Sequence, residues 1–348
     1  MTTILDSLNA ALHRAMEIDP RVVVLGEDIL DPYGGAFKVT RGLSTAFPDR
    51  VLTTPISEAA IVGIATGMAM RGLRPVVEIM FGDFLTLAAD QLVNHAAKFR
   101  WMYQGEVHVP LVVRTPMGGR RGYGPTHSQS LEKLFMGVPG LRVLAPNTIA
   151  DPGELLINAI LNSEDPVLFV ENKLLYSLPA LDPQTLSEFD VRKTSNTSAV
   201  QYEFNSLSLE TYTLRLHNAP ASVMTITAYG YMADLARQAA LKLAYQDEIF
   251  VDLVIPSQLV PFEMVPVLDS AYSTRCLLTI EEGSLTLGWG AEIVARAAEA
   301  LGSRLERAYR LGAQDLPIPS SGPLEIAILP GVDDIITTAR RLVIDSRN

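Results

Sequence analysis

Three side chains in the first half of the chain could together activate a nitrogen heterocycle. Glu58 begins the helical pattern EAAIVGIATGMAM, Phe84 follows the apolar run PVVEIM, and His127 lies in the glycine-rich run TPMGGRRGYGPTHSQS. A carboxylate can share a proton with a ring nitrogen, an aromatic ring can stack on the heterocycle, and an imidazole can transfer protons near neutral pH. The sequence therefore predicts a site that holds and activates an aminopyrimidine cofactor.

Glu58 and Phe84 also have simpler interpretations. A carboxylate at a helix start is stabilised by the helix dipole whatever its chemical role. Phe84 shares one predicted helical face with Leu87, Ala88 and Gln91, so it could simply pack in the core. For Glu58 the two interpretations are compatible, because the dipole would keep the carboxylate ionised until a ring nitrogen approached.

His127 differs from the other four histidines in its surroundings. It lies in a loop beside Ser128 and Gln129, where it could protonate or orient a reacting group. Structural or surface roles are expected for the others, which fall in helical patterns or beside strands: His13, His95, His108 and His217.

We find no motif that would bind the phosphates of a cofactor. The GGRRGYG run follows a predicted strand but leads into more loop, whereas a P-loop leads directly into a helix. Arg120 and Arg121 in this run could contact an anionic substrate or a partner chain, or could be solvated. The turn after the first strand reads GEDILDPYGG instead of G-x-G-x-x-G, which argues against a nicotinamide cofactor. We therefore expect half of a shared active site.

Composition narrows the class of protein. The chain has 348 residues, enough for two domains, and a net charge of −11 without a basic cluster, which argues against nucleic acid and anionic membranes as partners. No apolar run reaches the ~18–20 residues of a membrane span. The N-terminal segment reads as an amphipathic helix instead of a signal peptide.

The single cysteine, Cys276, is expected to be buried and inert, and we predict a cytoplasmic protein.

Short apolar runs alternate with helical patterns in the first half, which is typical of a parallel sheet with crossover helices. Ser57 and Asp151 are predicted to cap helices, and Gly72 to end one. Polar residues that follow the strands should meet at one edge of the sheet, where ligands of open α/β sheets bind. The predicted strands are 21–26, 75–80, 110–115, 141–145 and 166–170, and the predicted helices are 4–17, 58–70, 84–99 and 152–161.

The strand–helix rhythm is interrupted once and then resumes. Residues 177–220 are polar and predict a connector, in which alternating apolar residues (Val200, Tyr202, Phe204, then Tyr212, Leu214, Leu216) suggest a hairpin. The sequence predicts two doubly wound α/β domains, residues 1–176 and 221–348, on either side of this connector.

The ordered series of motifs resembles the beta subunits of thiamine diphosphate-dependent 2-oxo acid dehydrogenases, which include the pyruvate, branched-chain and acetoin dehydrogenases. The similarity covers nearly the whole chain except 177–220. Its segments include GEDI, FPDRVLTTPISEAAIVGIATGMAMRG, DQLVNHAAKFR, RTPMGGRRGYGPTHSQSLE, PGLRVLAPNT, DPVLFVEN, ITAYG, GWGAEI and DLPIPSSGPLE.

The resemblance implies a transketolase-like fold, with a pyrimidine-binding domain followed by a transketolase C-terminal-like domain. It implies that Glu58 activates the pyrimidine, that Phe84 stacks on it, that Ile56 also contacts the cofactor, and that His127 is an active-site histidine. The reaction would be decarboxylation of a small 2-oxo acid, with transfer of the acyl group to a lipoyl domain.

The resemblance also implies partners. A separate alpha subunit would hold the diphosphate and magnesium through a GDG motif, which this chain lacks. The two kinds of subunit would form an α2β2 heterotetramer, and a lipoyl acyltransferase would accept the acyl group next.

Some relatives hold a structural potassium ion through carbonyls near Leu111 and residues 159–160. The chain departs from the family at Val254, where arginine is usual, and at Arg120, where many relatives have glycine. The identity of the oxo acid stays open.

Three alternatives remain. A carboligase or transketolase-like enzyme would keep the cofactor and pass the two-carbon unit to an aldehyde. A non-catalytic assembly subunit would keep only the fold. A nicotinamide-dependent dehydrogenase would need a phosphate-binding motif that we do not find.

Overall fold

The computed structural model describes residues 2–195 and 209–344, which form two α/β domains around a seven-stranded and a six-stranded sheet. The strands are β1 (Val22–Gly26), β2 (Val51–Thr53), β3 (Arg74–Glu78), β4 (Val112–Met117), β5 (Arg142–Leu144), β6 (Val167–Asn172), β7 (Phe189–Ser195), β8 (Glu210–Leu216), β9 (Met224–Ala228), β10 (Val251–Pro256), β11 (Gln258–Val260), β12 (Cys276–Ser284) and β13 (Arg307–Ala313). The α-helices are α1 (Ile4–Ile18), α2 (Leu43–Ala46), α3 (Glu58–Met70), α4 (Leu85–Asp90), α5 (Ala97–Met102), α6 (Lys133–Met136), α7 (Pro152–Asn162), α8 (Gly230–Asp247), α9 (Val265–Thr274), α10 (Trp289–Leu301), α11 (Gly322–Ile328) and α12 (Val332–Ile344).

The first sheet has the strand order β11-β5-β6-β4-β3-β1-β2. Its neighbouring strands are parallel, except that β11 runs antiparallel to β5. Strands β1, β3 and β4 are buried along their whole length, as their valine-rich sequences require when helices cover both faces. Each of the five predicted strands overlaps a strand of this sheet, and the predicted α/β class is confirmed. The strands β2 and β11 were not predicted.

The second sheet has the order β13-β12-β9-β10-β8-β7. Strands β9, β10, β12 and β13 pair in parallel, whereas β8 pairs antiparallel with both β10 and β7. Strands β7 and β8 come from the polar range 177–220 and extend this sheet. Of the residues that suggested a hairpin, Tyr212, Leu214 and Leu216 lie in β8; Val200, Tyr202 and Phe204 lie outside the described residues.

The helix ends follow the predicted signals at two positions out of three. Asp151 caps α7 by accepting hydrogen bonds from the backbone N–H groups of Gly153 and Glu154, as predicted. Gly72 follows α3 with φ of 91°, a conformation that glycine adopts without strain. Ser57 occupies the N-cap position of α3, but its side chain makes no capping hydrogen bond, so that prediction was wrong.

The single helix predicted over residues 84–99 is wrong in detail. The chain forms a 3-10 turn (Gly82–Phe84), then α4, a π-helical segment (Gln91–Ala96) and α5. A π-helical segment widens the helix by one residue per turn and leaves little trace in apolar spacing. Beyond Gln91, the side chains that face the core therefore differ from those expected for a continuous α-helix.

A buried ion network ties the central strands together close to their carboxyl ends. Arg114 of β4 donates to Glu78 of β3 at 2.9 Å and to both carboxylate oxygens of Glu171 of β6 at 2.8 Å. The hydroxyl of Tyr176 donates to Glu171 at 2.6 Å. Removal of one member would leave an uncompensated buried charge, so all members must stay in place. The network therefore holds strands β3, β4 and β6 together at the edge where the candidate site lies.

Candidate active site

Glu58 is the first residue of α3 and points inward, with 4% of its surface exposed, while its neighbours on both sides are exposed. Its side chain forms no hydrogen bond to any described residue. Strand β2 and the short loop after it bring the carboxylate to the carboxyl edge of the first sheet. An ionisable group that is buried, charge-stabilised by a helix start and without a partner is suited to receive a ligand.

A second carboxylate lies beside the first. Glu27 follows β1 and is buried; its carboxylate accepts a hydrogen bond from the backbone N–H of Ser57, and one of its oxygens has no partner. Burial raises the pKa of Glu27 above its ordinary value, and the negative charges of Glu58 and Asp28 raise it further. The neighbouring Thr54 hydroxyl is also buried without a partner. The unpartnered oxygens beside Glu58 leave room for polar groups of a ligand.

Phe84 and His127 meet in an aromatic cluster at the same edge. Their ring centroids are 5.2 Å apart and nearly perpendicular. Phe81, which follows β3, contacts both rings, at 4.8 Å from His127 and 6.1 Å from Phe84, and lies 6.0 Å from Tyr123. Phe84 is half-buried and packs against the core, as the simpler interpretation expected, and its role toward a cofactor stays a prediction.

Several contacts hold the loop that carries His127. Asp83 accepts hydrogen bonds from the backbone N–H and the side-chain amide of Gln129, at 3.3 and 2.8 Å. The hydroxyl of Thr126 lies 3.0 Å from Nδ1 of the imidazole. Lys173, which follows β6, donates to the backbone carbonyl of His127 at 2.5 Å.

The glycine-rich run before His127 is bound by two carboxylates of the second domain. Glu282 accepts from the N–H of Gly119 at 2.8 Å and from the guanidinium of Arg120 at 2.5 Å. Glu325 accepts from the N–H groups of Arg120 and Gly122, at 2.6 and 3.2 Å. Arg120 is therefore neither solvated nor free for a substrate, whereas Arg121 is exposed.

Ile56 lies two residues before Glu58 with 82% of its surface exposed. No described residue covers it, and it lies on the loop between β2 and α3. The structure thus places Ile56 and Glu58 together, Phe84 and His127 together, and all four at the carboxyl edge of one sheet.

Sequence reasoning missed Phe81, Lys173, Glu282 and Glu325. Lys173 and Phe81 could have been found, because each follows the end of a predicted strand, where ligands of parallel sheets bind. Glu282 and Glu325 gave no signal, since both lie more than 150 residues from the loop that they bind.

The site that the resemblance implies for a potassium ion lies beside the guanidinium group of Arg74. Arg74 is buried and donates to the carbonyl oxygens of Ile160 and Ser163 at 3.0 and 2.9 Å, and to the carboxylate of Glu164 at 2.6 Å. The carbonyl of Leu111 accepts from the N–H of Val167. A positive charge of the chain itself already lies at one of the implied carbonyls, which disfavours a second cation there.

The remaining candidates lie elsewhere. Burial raises the pKa of the Cys276 thiol, which keeps it protonated and inert. Among the described residues there is no cluster of three potential metal ligands, and no helix there is long and apolar enough to cross a membrane. The other histidines contact neighbouring groups away from the cluster: His13 near the Arg41 carbonyl, His95 near Asp90, His108 near Glu164 and His217 near Asp190.

Comparisons with known proteins agree with this architecture. The family described as "Transketolase, pyrimidine binding domain" matches residues 2–179, and "Transketolase, C-terminal domain" matches residues 216–335. A solved split gene transketolase, described as an inactive beta4 tetramer, has the same fold, with a TM-score of 0.72 and 20% identity over 99% of each chain.

Two curated relatives are similar over nearly the whole chain. The pyruvate dehydrogenase E1 component subunit beta-1 of Arabidopsis thaliana is 35% identical over 97% of this chain and 88% of its own. The acetoin:2,6-dichlorophenolindophenol oxidoreductase subunit beta of Cupriavidus necator is 34% identical over 96% of this chain and 95% of its own. The chain belongs to the transketolase-like family of thiamine diphosphate-dependent 2-oxo acid dehydrogenase beta subunits.

Proposed function

We propose that this chain supplies the pyrimidine-activating half of a shared active site that decarboxylates a small 2-oxo acid. The observation that carries the proposal is the position of Glu58: buried, at a helix start, without a hydrogen-bond partner, and at the sheet edge that also carries Phe84 and His127. Bound thiamine diphosphate would supply the nucleophilic carbon and accept the electrons that remain when carbon dioxide leaves.

Glu58 would hold a proton at a ring nitrogen of the aminopyrimidine. The helix start and the low exposure of the carboxylate favour a strong, water-excluded contact with that nitrogen. Burial and the charge of Glu58 raise the pKa of the neighbouring Glu27, so Glu27 retains a proton more readily than an ordinary glutamate.

Phe84 and Ile56 would bind the same ring through apolar contact. The rings of Phe81 and His127 contact Phe84 nearly perpendicular to its ring, and Ile56 is exposed beside Glu58. Phe84 would stack on the pyrimidine, which needs no charge and tolerates the neighbouring carboxylates. Ile56 would gain burial when cofactor and partner chain cover it.

His127 would move or hold a proton at the substrate. Its imidazole is half-buried, packs against two phenylalanine rings and accepts or donates at Nδ1 to Thr126. A side chain restrained in this way can present its other ring nitrogen to a carboxylate or carbonyl oxygen of a 2-oxo acid.

We further propose that an alpha subunit completes the site in an α2β2 heterotetramer and holds the diphosphate with magnesium. No metal cluster lies among the residues that the structure describes, and the chain has no GDG motif. Large exposed apolar side chains on α3 and α4, Ile64 and Leu87, add to Ile56 and would be covered by a partner.

The later fate of the acyl group is a further part of the proposal. The relatives named above favour oxidative transfer, so we propose a lipoyl acyltransferase as the next partner. A carboligase would share every residue discussed here and differ only in the acceptor. A cytoplasmic location also stays a proposal; the similar plant protein is mitochondrial by name.

Replacement of Glu58 by glutamine tests the proposal. The Glu58→Gln variant, co-expressed with its alpha subunit, should lose about 10²–10⁴-fold in carbon dioxide release from a panel of 2-oxo acids, because the amide cannot share the proton. Co-purification with the alpha subunit should be unchanged.

The matched control is Glu17→Gln, an exposed glutamate near the end of α1, which should keep full activity. If the chain were an assembly subunit without catalytic function, neither variant should lose carbon dioxide release. Product analysis with an added aldehyde or with a lipoyl domain separates the carboligase from the dehydrogenase.

A further inference from the structure

Lys173 is a fully buried lysine at the carboxyl end of β6, with 0% of its surface exposed. Burial lowers its pKa from 10.5 to about 8, although the carboxylates of Asp83 and Glu282 act in the opposite direction. Since a buried ammonium group is destabilising unless its contacts compensate, its contacts should reveal what it does.

Those contacts converge on one loop. The ammonium nitrogen donates to the backbone carbonyl of His127 at 2.5 Å. It also lies 5.2 Å from the ring centroid of Phe81 and 5.5 Å from that of Tyr123, within the range of cation–π attraction. Phe81 in turn contacts the imidazole of His127.

The loop itself has features that call for an anchor. Gly122 and Gly124 precede His127 with φ of 69° and 76°, conformations in which glycine gives the backbone little resistance to motion. Few of its backbone groups are paired within the loop; the N–H of His127 donates to the carbonyl of Gly124 at 3.3 Å. A charged donor beneath His127 supplies a strong fixed contact.

We propose that Lys173 is a positioning residue for His127: its ammonium group fixes the histidine backbone from below while Phe81 and Tyr123 confine that group from the sides. The imidazole then keeps one orientation toward the sheet edge. The inference rests on the proposed function only for the identity of the group that His127 meets.

Hydrogen exchange measured by mass spectrometry on the full chain tests the anchor directly. In Lys173→Met the amides of residues 122–130 should exchange roughly tenfold faster or more, because loss of a charge-assisted hydrogen bond increases local opening. Lys98→Met is the matched control, since Lys98 also donates to a backbone carbonyl, that of Pro139 at 2.8 Å, away from the site. Unchanged exchange at 122–130 in Lys173→Met would overturn the proposal.

Thermal unfolding separates positioning from general structural support. Lys173→Met removes the hydrogen bond to the His127 carbonyl, and because this effect should stay local, the unfolding temperature should fall by no more than a few degrees. A larger fall in the unfolding temperature, with faster exchange throughout the first domain, would overturn the proposal. Lys173→Arg retains a charged donor and should restore slow exchange at 122–130 at least in part.

Kinetics with the alpha subunit complete the test. If His127 acts on the substrate, Lys173→Met should lower kcat about tenfold or more while KM changes less than about twofold, because a misplaced group affects the reacting geometry more than binding. If the wild-type complex releases no carbon dioxide from any 2-oxo acid, the proposed function fails, and the exchange experiment still decides whether Lys173 anchors the loop.

Discussion

Glu27 and Glu58 form a pair of buried carboxylates with no basic partner among the described residues. Burial raises the pKa of Glu27, and the negative charge of Glu58 raises it further, so Glu27 keeps its proton to a higher pH than an ordinary glutamate. A ring nitrogen that shares a proton with one of the carboxyl groups would relieve this repulsion. The chemical character of the site therefore depends on two residues and not only on Glu58.

The pair predicts a measurable dependence of stability on pH. The pKa of Glu27 in the folded state is raised above 4.5, so the folded chain binds this proton more tightly than the unfolded chain. Its contribution to the free energy of unfolding is therefore neutral below pH 4.5 and becomes unfavourable as pH rises through the folded pKa.

Glu27→Gln removes this unfavourable charge. The variant should unfold a few degrees higher than the wild type at pH 7, and the difference should vanish near pH 4, as followed by circular dichroism. An equal shift at both pH values would show that packing and not charge is responsible. Glu17→Gln again serves as the control and should show no shift at either pH.

At the scale of elements, α11 of the second domain binds the loop that leads to His127. The carboxylate of Glu325 accepts two loop N–H groups, and side chains at Gly118 and Gly119 would collide with Glu282 and Leu329 at 2.5 Å. The two glycines are thus required by close approach between domains. This contact is one of those that hold the loop leading to His127.

Replacement of Glu325 by glutamine weakens this contact. Glu325→Gln leaves one backbone N–H facing an amide and should lower the free energy of unfolding by about 1–3 kcal/mol. It should also reduce carbon dioxide release by the complex about tenfold. Denaturant titration and kinetics measure the two effects. Glu299→Gln, at an exposed position of α10, should alter neither; equal loss in both variants would contradict the role given to Glu325.

The elements show what the sequence can and cannot predict. Apolar periodicity indicated the parallel strands, and because such strands end at one edge, it also indicated that Phe84 and the loop of His127 would share that edge. It did not locate Glu58, which follows the unpredicted strand β2. The π-helical segment could not be predicted, since it changes no residue type. The contacts of Glu325 with the loop join positions 205 apart, and local patterns contain no information on such pairs.

For the whole molecule, the proposal that a partner chain holds the diphosphate has a consequence for binding. Nothing in the described residues forms a metal cluster, and the proposed contacts of this chain reach only the pyrimidine. The isolated chain should therefore bind thiamine diphosphate weakly, because magnesium and the diphosphate contribute much of the affinity.

Calorimetry measures the affinity for thiamine diphosphate directly. Titration of the isolated chain with thiamine diphosphate and magnesium should give a dissociation constant at least about 100-fold weaker than that of the complex with the alpha subunit, a difference of about 2.7 kcal/mol. Tight, magnesium-dependent binding by this chain alone would contradict the shared site.

The short strand β11 affects how the protein can be divided. Gln258–Val260 belongs to the second half of the chain but pairs with β5, where Arg142 also donates to the side chain of Gln258 at 3.1 Å. A fragment that stopped before the second domain would leave β5 with a bare row of backbone donors and acceptors, which invites self-association. Expression of the pyrimidine-binding half on its own would therefore need a substitute for this strand, and a gene split between the halves would demand reassembly of both products.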